Sequence, residues 1–308
     1  YLIQWCIWWI EEMQVDAFRL DTYSYGDQDF LTEWAIAINT EYPGFTEFAE
    51  VWVNGKGVQG YYNGNNNLKT DVNTHLDGVL DFDLYWGFIK SLTEPFGWEH
   101  GTGNLYLSLV QDYMYGEDGG MANVTFLGNH DIDRFYSMAQ EDLRKYKIGV
   151  TLLMTMRGIP QWFYGDEVLL TNFANPMDTV RIDFPGGWQG DPRDLFKKDW
   201  RSAEEQEAFS YLQKIANWRK QQEVFNSGGL KHFVPEDNIY VYFRYNADES
   251  VMVIINTSEM EKTINTDRYQ EGLQGYSVGT EVISGSKISS LDSLTIPAMS
   301  SMILDLEH

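Results

Sequence analysis

The stretch Val15-Asp16-Ala17-Phe18-Arg19-Leu20-Asp21 decides how this chain is read. It opens as a short apolar alternation without Gly or Pro and predicts a strand over 15–20. Residues i and i+2 of a strand face the same side, so Arg19 and Asp21 are expected to project together from its carboxyl end. A cation beside a carboxylate keeps that carboxylate ionised. Taken alone, such a pair more often fixes a strand end than performs chemistry, and the company it keeps decides the matter.

Outward from this stretch, strand and helix patterns alternate. A helix precedes it, ending near Gln14. A helix over 28–40, the turn Tyr42-Pro43-Gly44 and a second strand over 45–51 complete a βαβ unit. The segment 54–73 is a Gly/Asn-rich loop carrying Tyr61 and Tyr62, placed after a strand end, where loops line sites. Further strands are expected at 78–82, 124–127 and 161–164, with helical patterns across 84–92, 105–114 and 142–156. Five strands therefore fall before residue 165, and their alternation with helices predicts a parallel sheet covered by helices, open or closed into a barrel. A second long loop, 169–198, contains Phe184-Pro185-Gly186-Gly187-Trp188 and leads into an amphipathic helix over 203–222. After Ser227-Gly228-Gly229 the grammar changes: short β-rich runs at 239–245, 250–256, 262–265, 281–284 and 293–296 predict a compact antiparallel domain.

Composition narrows the function classes. A chain of 308 residues with 43% hydrophobic and 15% aromatic content folds around a large core with room for a second small domain. The formal net charge of −24 disfavours nucleic acid and anionic membranes as partners. A single cysteine, Cys6, excludes an intrachain disulfide and leaves a periplasmic or cytoplasmic location equally open. No apolar run reaches membrane-spanning length, because 1–10 stops at Glu11-Glu12. The start has no Met, basic region or cleavage site and does not read as a signal peptide. It reads as the middle of a helix without an N-cap, so upstream sequence is expected. At the other end, Leu306-Glu307-His308 reads as a tag scar, and His308 is given no functional weight.

The second strand ends Phe48-Ala49-Glu50-Val51-Trp52, which places Glu50 one βα step after Asp21. Carboxylates on adjacent parallel strand ends can lie roughly 5–6 Å apart, the separation at which one attacks a glycosidic carbon while the other protonates the leaving group. The strand at 124–127 runs on into Gly128-Asn129-His130-Asp131, adding a third acid on the same face with a histidine before it. Asn-His-Asp alone is more often a capped turn. Three acids at three strand ends are costly to hold together and point to a task.

Ala17-Phe18-Arg19-Leu20-Asp21, Ala49-Glu50-Val51-Trp52 and Phe126-Leu127-Gly128-Asn129-His130-Asp131 resemble, in order and spacing, the second, third and fourth sequence signatures of the α-amylase family of glycoside hydrolases. The stretch 158–165 resembles that family's eighth strand and His75-Leu76-Asp77 the approach to its sixth. Asp21 to Tyr25 and Asp183 to Asp191 look most like the neopullulanase and cyclomaltodextrinase branch. The resemblance implies a (β/α)8 barrel, of which about strands 4 to 8 are present, followed by an all-β C-terminal sandwich. It divides the chain into barrel at 1–226 and sandwich at 227–305, ahead of the scar already read at 306–308. It implies retaining cleavage of α-1,4-glucosidic bonds in starch-derived or cyclic maltooligosaccharides, with Asp21 matching the nucleophile, Glu50 the general acid/base and Asp131 the transition-state stabiliser. Arg19 matches the arginine that holds the nucleophile, and His130 the histidine that contacts substrate hydroxyls.

Departures accompany the match. Ala17 stands where the family usually has Gly, and Tyr25 where it often has His or Glu, which makes Tyr25 a substrate-subsite candidate. The first three barrel strands and the first signature are absent, so a missing N-terminal part or a further copy of the chain is expected to cover the open sheet edge. The family's calcium often leans on that first signature, so neither metal nor cofactor is expected. Trp52 and Trp188 are candidate sugar-stacking residues, Trp188 foremost because glycines flank it; either ring could equally cap the core. Trp5, Trp8 and Trp9 read as core. Asp16 is expected to anchor its strand, Asp166-Glu167 to order the loop after the last strand, and Glu204-Glu205 to fill the first turn of a helix. Two alternatives stand beside hydrolysis: an inactive, truncated amylase-like chain that only binds glucan, and a glucanotransferase using the same acids.

Overall fold

The computed structural model describes residues 1–68 and 71–307; Lys69, Thr70 and His308 lie outside the described residues. Strand β1 (Ala17–Leu20) pairs in parallel with β2 (Thr46–Ala49), and β2 with β3 (Gly78–Val79). A parallel bridge between Leu80 and Val124 joins them to β4 (Val124–Phe126), which pairs in parallel with β5 (Ile159–Gln161). The spatial order therefore follows the chain order without the reversal of a doubly wound sheet, as a barrel wall requires.

The last of these strands comes earlier than expected at 161–164. The Ile159 amide bonds the Asn123 carbonyl and so starts the pairing ahead of Pro160.

Helices α1 (Leu2–Met13) and α2 (Gln28–Glu41) cover the first strands. Asp27 caps α2 by accepting from the Phe30 amide at 2.9 Å. Buried Ile10 and partly buried Ile3, Cys6 and Ile7 form the apolar stripe of α1 and pack in one cluster with Phe18, Trp34, Ile38 and Phe45. Trp5 and Trp8 fall on another face and are 48% and 45% exposed, contrary to their expected core placement. Their rings pack edge-on against Trp9 instead. Asp16 lies exposed ahead of β1 rather than anchoring it.

The segment expected as a plain loop at 54–73 contains a short helix, α3 (Lys56–Tyr61). Its Gly and Asn content hides it, because its stability comes from burial and not from propensity. Beyond it lie α4 (Phe82–Thr93) and α5 (Thr102–Leu109); the helix expected over 105–114 breaks at Leu109 and resumes as a 3-10 turn over Asp112–Tyr115.

Two compact units result. The first comprises Tyr1–Trp86, Leu107–Phe126 and Gly158–Gln161, and holds the five parallel strands; the second comprises Gly87–Tyr106, Leu127–Arg157 and the chain from Trp162 onward. In the second, α6 (Phe135–Met138), α7 (Leu143–Thr155) and α8 (Ala203–Arg219) precede a six-stranded antiparallel sheet. Its strands are β6 (Gly229–His232), β7 (Ile239–Tyr245), β8 (Ser250–Asn256), β10 (Val278–Glu281), β11 (Lys287–Ile288) and β13 (Ser300–Glu307), while β9 (Lys262–Asn265) and β12 (Ser293–Ile296) form a separate pair. Glu205 completes a capping box with Ser202 at the start of α8, with the Ser202 amide 2.7 Å from its carboxylate.

Strand β8 is buried along its whole length. One face packs with Phe243, Leu273, Leu294 and Ile296, while α7 lies against the sheet through Thr151, which bonds Ser301 at 2.8 Å, and Thr155, which bonds Tyr242. The longest strand, β13, was not expected: its run Ser300-Ser301-Met302 obscures the β pattern, and Leu306 and Glu307 pair with Gly279 and Val278. The strand expected at 281–284 ends at Glu281, where a turn begins with the Gly285 amide bonding the Glu281 carbonyl.

Candidate active site

The register of β1 and β2 aligns Leu20 with Ala49, so the next residues, Asp21 and Glu50, leave adjacent strand ends side by side. The Glu50 amide donates to the Leu20 carbonyl at 2.8 Å, and the Tyr23 amide donates to the Glu50 carbonyl at 3.1 Å, extending the join beyond the ladder. Arg19 reaches both acids: its guanidinium donates to the Asp21 carboxylate and lies 2.7 Å from Glu50 Oε1. Thr22 completes the link. With a left-handed φ of 49°, its amide donates to Glu50 Oε2 and its hydroxyl to Asp21 Oδ2, both at 3.0 Å.

The two acids differ in environment. The Asp21 side chain is 68% exposed and that of Glu50 is 6% exposed. The Arg19 hydrogen bond, then that from Thr22, holds the Asp21 carboxyl below the usual carboxylate range. An ionised, open carboxylate thus stands beside a shielded one.

The second unit carries another group. His130 Nε2 is 3.2 Å from Asp131 Oδ2, and the Asp131 amide donates to Asn129 Oδ1 at 2.8 Å. Arg181 donates to the Asp131 carboxylate and, through Nε, to the His130 carbonyl at 2.8 Å. Sequence reasoning missed Arg181. Its only signal was a basic residue just ahead of the Asp183–Asp191 stretch, inside a loop with no periodicity to orient it. The loop is held by buried Arg134, which donates to the Val180 carbonyl at 2.7 Å and the Tyr164 carbonyl and pairs with Asp166 at 3.2 Å. Burial pushes the Asp166 carboxyl up to about 7 against the pull of that arginine. Glu167 accepts from the Gly165 amide at 2.8 Å, so the Asp166-Glu167 pair orders this loop.

Of the aromatic candidates, Tyr25 is 88% and Trp188 78% exposed, the latter following Gly186 and Gly187 at φ 120° and 100°. Trp52 stacks on Phe82 with ring centroids 5.1 Å apart and is 47% exposed. Arg19, Asp21, Glu50, Tyr25 and Trp52 thus belong to the first unit, and His130, Asp131 and Trp188 to the second. Among the described residues no group of three or more His, Cys, Asp or Glu side chains is arranged to hold a metal ion, and no helix is long and apolar enough to cross a membrane.

The family profile described as the alpha amylase catalytic domain matches residues 1–213. The chain belongs to the α-amylase family. A second profile, the cyclo-malto-dextrinase C-terminal domain, matches residues 230–305 of this amylase-family chain. It is 23% identical to a cyclomaltodextrinase of Geobacillus thermopakistaniensis over 84% of its length and 39% of the relative's, and 26% identical to a cyclomaltodextrin glucanotransferase of Klebsiella oxytoca over 86% and 42%. The chain thus spans about two fifths of these curated relatives. The crystal structure of the α-amylase from Geobacillus thermoleovorans, complexed with acarbose, superposes on all of this chain and 63% of that one, with a TM-score of 0.78 at 22% identity. The fold class is the family's (β/α)8 barrel, represented by five described strands, followed by an antiparallel C-terminal domain.

Proposed function

We propose that this amylase-family chain carries the acids of a retaining glycosidase acting on α-1,4-glucosidic bonds in starch-derived or cyclic maltooligosaccharides. Asp21 attacks the anomeric carbon as Glu50 transfers a proton to the glycosidic oxygen, so the C–O bond breaks and a glycosyl ester forms on Asp21. Glu50, now ionised, takes a proton from water; the resulting attack cleaves the ester and restores both carboxyl groups with retention. Asp131 stabilises the oxocarbenium-like transition state and His130 contacts sugar hydroxyls. Arg19 orients the two acids, and Tyr25, Trp52 and Trp188 offer ring faces to glucose units. The division into barrel at 1–226 and sandwich at 227–305 is part of the same reading.

The observation that carries it is Arg19 bridging an exposed Asp21 and a shielded Glu50 on adjacent strand ends. Incubation of the full-length protein with maltooligosaccharides and a cyclomaltodextrin tests it, following reducing ends and the anomer released. Release of α-anomeric product by the wild type and its loss in Asp21→Asn is expected. β-Anomeric product, or unimpaired Asp21→Asn, would overturn it.

Similarity to a relative named cyclomaltodextrin glucanotransferase supports a second reading, transfer of the glycosyl group to a sugar instead of water. Disproportionation of a single pure maltooligosaccharide into longer and shorter chains distinguishes it.

A further inference from the structure

Helix α3 holds two buried polar side chains that the catalytic reading does not use. Gln59 is fully buried and uses its whole amide. Its Nε2 donates to the Val51 carbonyl at 3.2 Å and to the Leu80 carbonyl at 2.8 Å. Its Oε1 accepts from the Asp83 amide at 3.2 Å and from the Tyr115 hydroxyl at 3.0 Å. One side chain thus ties the chain just past Glu50 to the chain just past β3, to the first turn of α4 and to the 3-10 turn over Asp112–Tyr115.

Lys56, one turn earlier, is also buried. Its Nζ lies 3.0 Å from Asp112 and 3.5 Å from Asp83, with Asp81 at 4.0 Å and the Tyr115 ring centroid at 4.5 Å. Gly60 lets the helix close on this turn, since a Cβ there would come within 3.1 Å of the Met114 carbonyl.

Gln59 adds a tie one residue beyond Glu50. Strand β2 ends at Ala49, so beyond it the backbone is held by the Leu20 and Tyr23 bonds at Glu50 and by Gln59 at Val51. We infer that Gln59 is a positioning residue for Glu50, and that Lys56 with its three aspartates fixes the helix presenting it. The inference rests on the reading of Glu50 as the general acid.

A displaced acid has a specific signature. A glucosidic oxygen needs its proton to leave, whereas fluoride leaves with little help. The test compares kcat/KM, which reports glycosyl transfer onto Asp21, for a maltooligosaccharide and for α-maltosyl fluoride, using full-length Gln59→Met. The expected result is a loss of about 10²-fold on the oligosaccharide against only about 3-fold on the fluoride. Equal losses on both, or none, would overturn the inference. If Gln59→Met does not fold, Tyr115→Phe removes the hydroxyl's bond to Gln59, together with its 3.2 Å bond to Asp81 in the same cluster, and is expected to split the two substrates by about 2–10-fold; no split would count against the inference in the same way. Glu50→Gln is run alongside. If it shows the leaving-group split and the Gln59 and Tyr115 variants do not, the positioning role alone falls. If Glu50→Gln shows no split, the reading of Glu50 falls and takes the inference with it.

Discussion

Arg19 and Lys56 each gather several carboxylates in the first unit, but in opposite environments. Arg19 stands 28% exposed between an open Asp21 and a shielded Glu50. Lys56 is sealed, its side chain at 0% exposure beside Asp81, also at 0%. A cation among acids at the surface is cheap to rearrange and leaves a carboxylate available to a ligand. The same constellation in the interior cannot be undone without stranding charge, so it holds backbone. The contrast lies in the cation and in one acid of each group: Arg19 stays accessible beside an open Asp21, whereas Lys56 and Asp81 are closed off from solvent.

The largest effect expected from breaking this contrast is on Asp21. Asp21→Asn should lower kcat by on the order of 10⁴–10⁶-fold while barely changing the melting temperature, because its side chain is 68% exposed. Steady-state assays paired with thermal melts check both halves; a large drop in melting temperature would place Asp21 among the structural acids.

Next comes Lys56→Met, expected to destabilise the fold by about 3–5 kcal/mol, the cost of leaving buried carboxylates without their cation. Denaturant unfolding measures it, and a change below about 1 kcal/mol would show that the cluster behaves like a surface pair.

Arg19→Met should do the reverse. Stability is expected to fall by less than in Lys56→Met, because only Glu50 of its two partners is shielded and Glu50 keeps the Thr22 amide, whereas kcat falls about 10²-fold as the two acids lose their common anchor. The sharper form of this test follows the pH-rate profile. Arg19 holds the Asp21 carboxyl low, so its removal should move the acidic limb upward in pH, and an unmoved limb would detach Asp21 from that limb.

The last test concerns Glu47, a fully buried acid that takes a hydrogen bond from Asn39 in place of a cation. Burial, and then the neighbouring Asp77, pushes its carboxyl up from an ordinary 4.5 to about 8. The folded protein therefore keeps this proton between about 4.5 and 8, where the unfolded chain has lost it, so stability declines as pH rises through that window. Glu47→Gln should flatten the decline in melting temperature between pH 5 and pH 8; an unchanged slope would assign the decline to another group.

Much of this was legible along the chain. Strands ending one residue before Asp21 and Glu50, and the strand Val124–Phe126 that leads through a turn to Asp131, follow from local alternation and turn residues, and the box at Ser202 and Glu205 from a four-residue pattern. The helix at α3 was not, since Lys56-Gly57-Val58-Gln59-Gly60-Tyr61 has poor intrinsic propensity and forms by packing against residues more than fifty positions away. Arg181 was hidden for the same reason: it meets Asp131 across 50 residues of chain, from a loop placed by Arg134.

By itself, then, the sequence determined which residue types stand at successive strand ends and in what order, because strand and helix periodicity and capping act within a few residues. Only the tertiary structure decided which acids are open and which sealed, which cation each one meets, and that Gln59 ties the chain beyond Glu50 to its neighbours. Those properties depend on desolvation and on contacts between distant segments, and no window of sequence contains both partners.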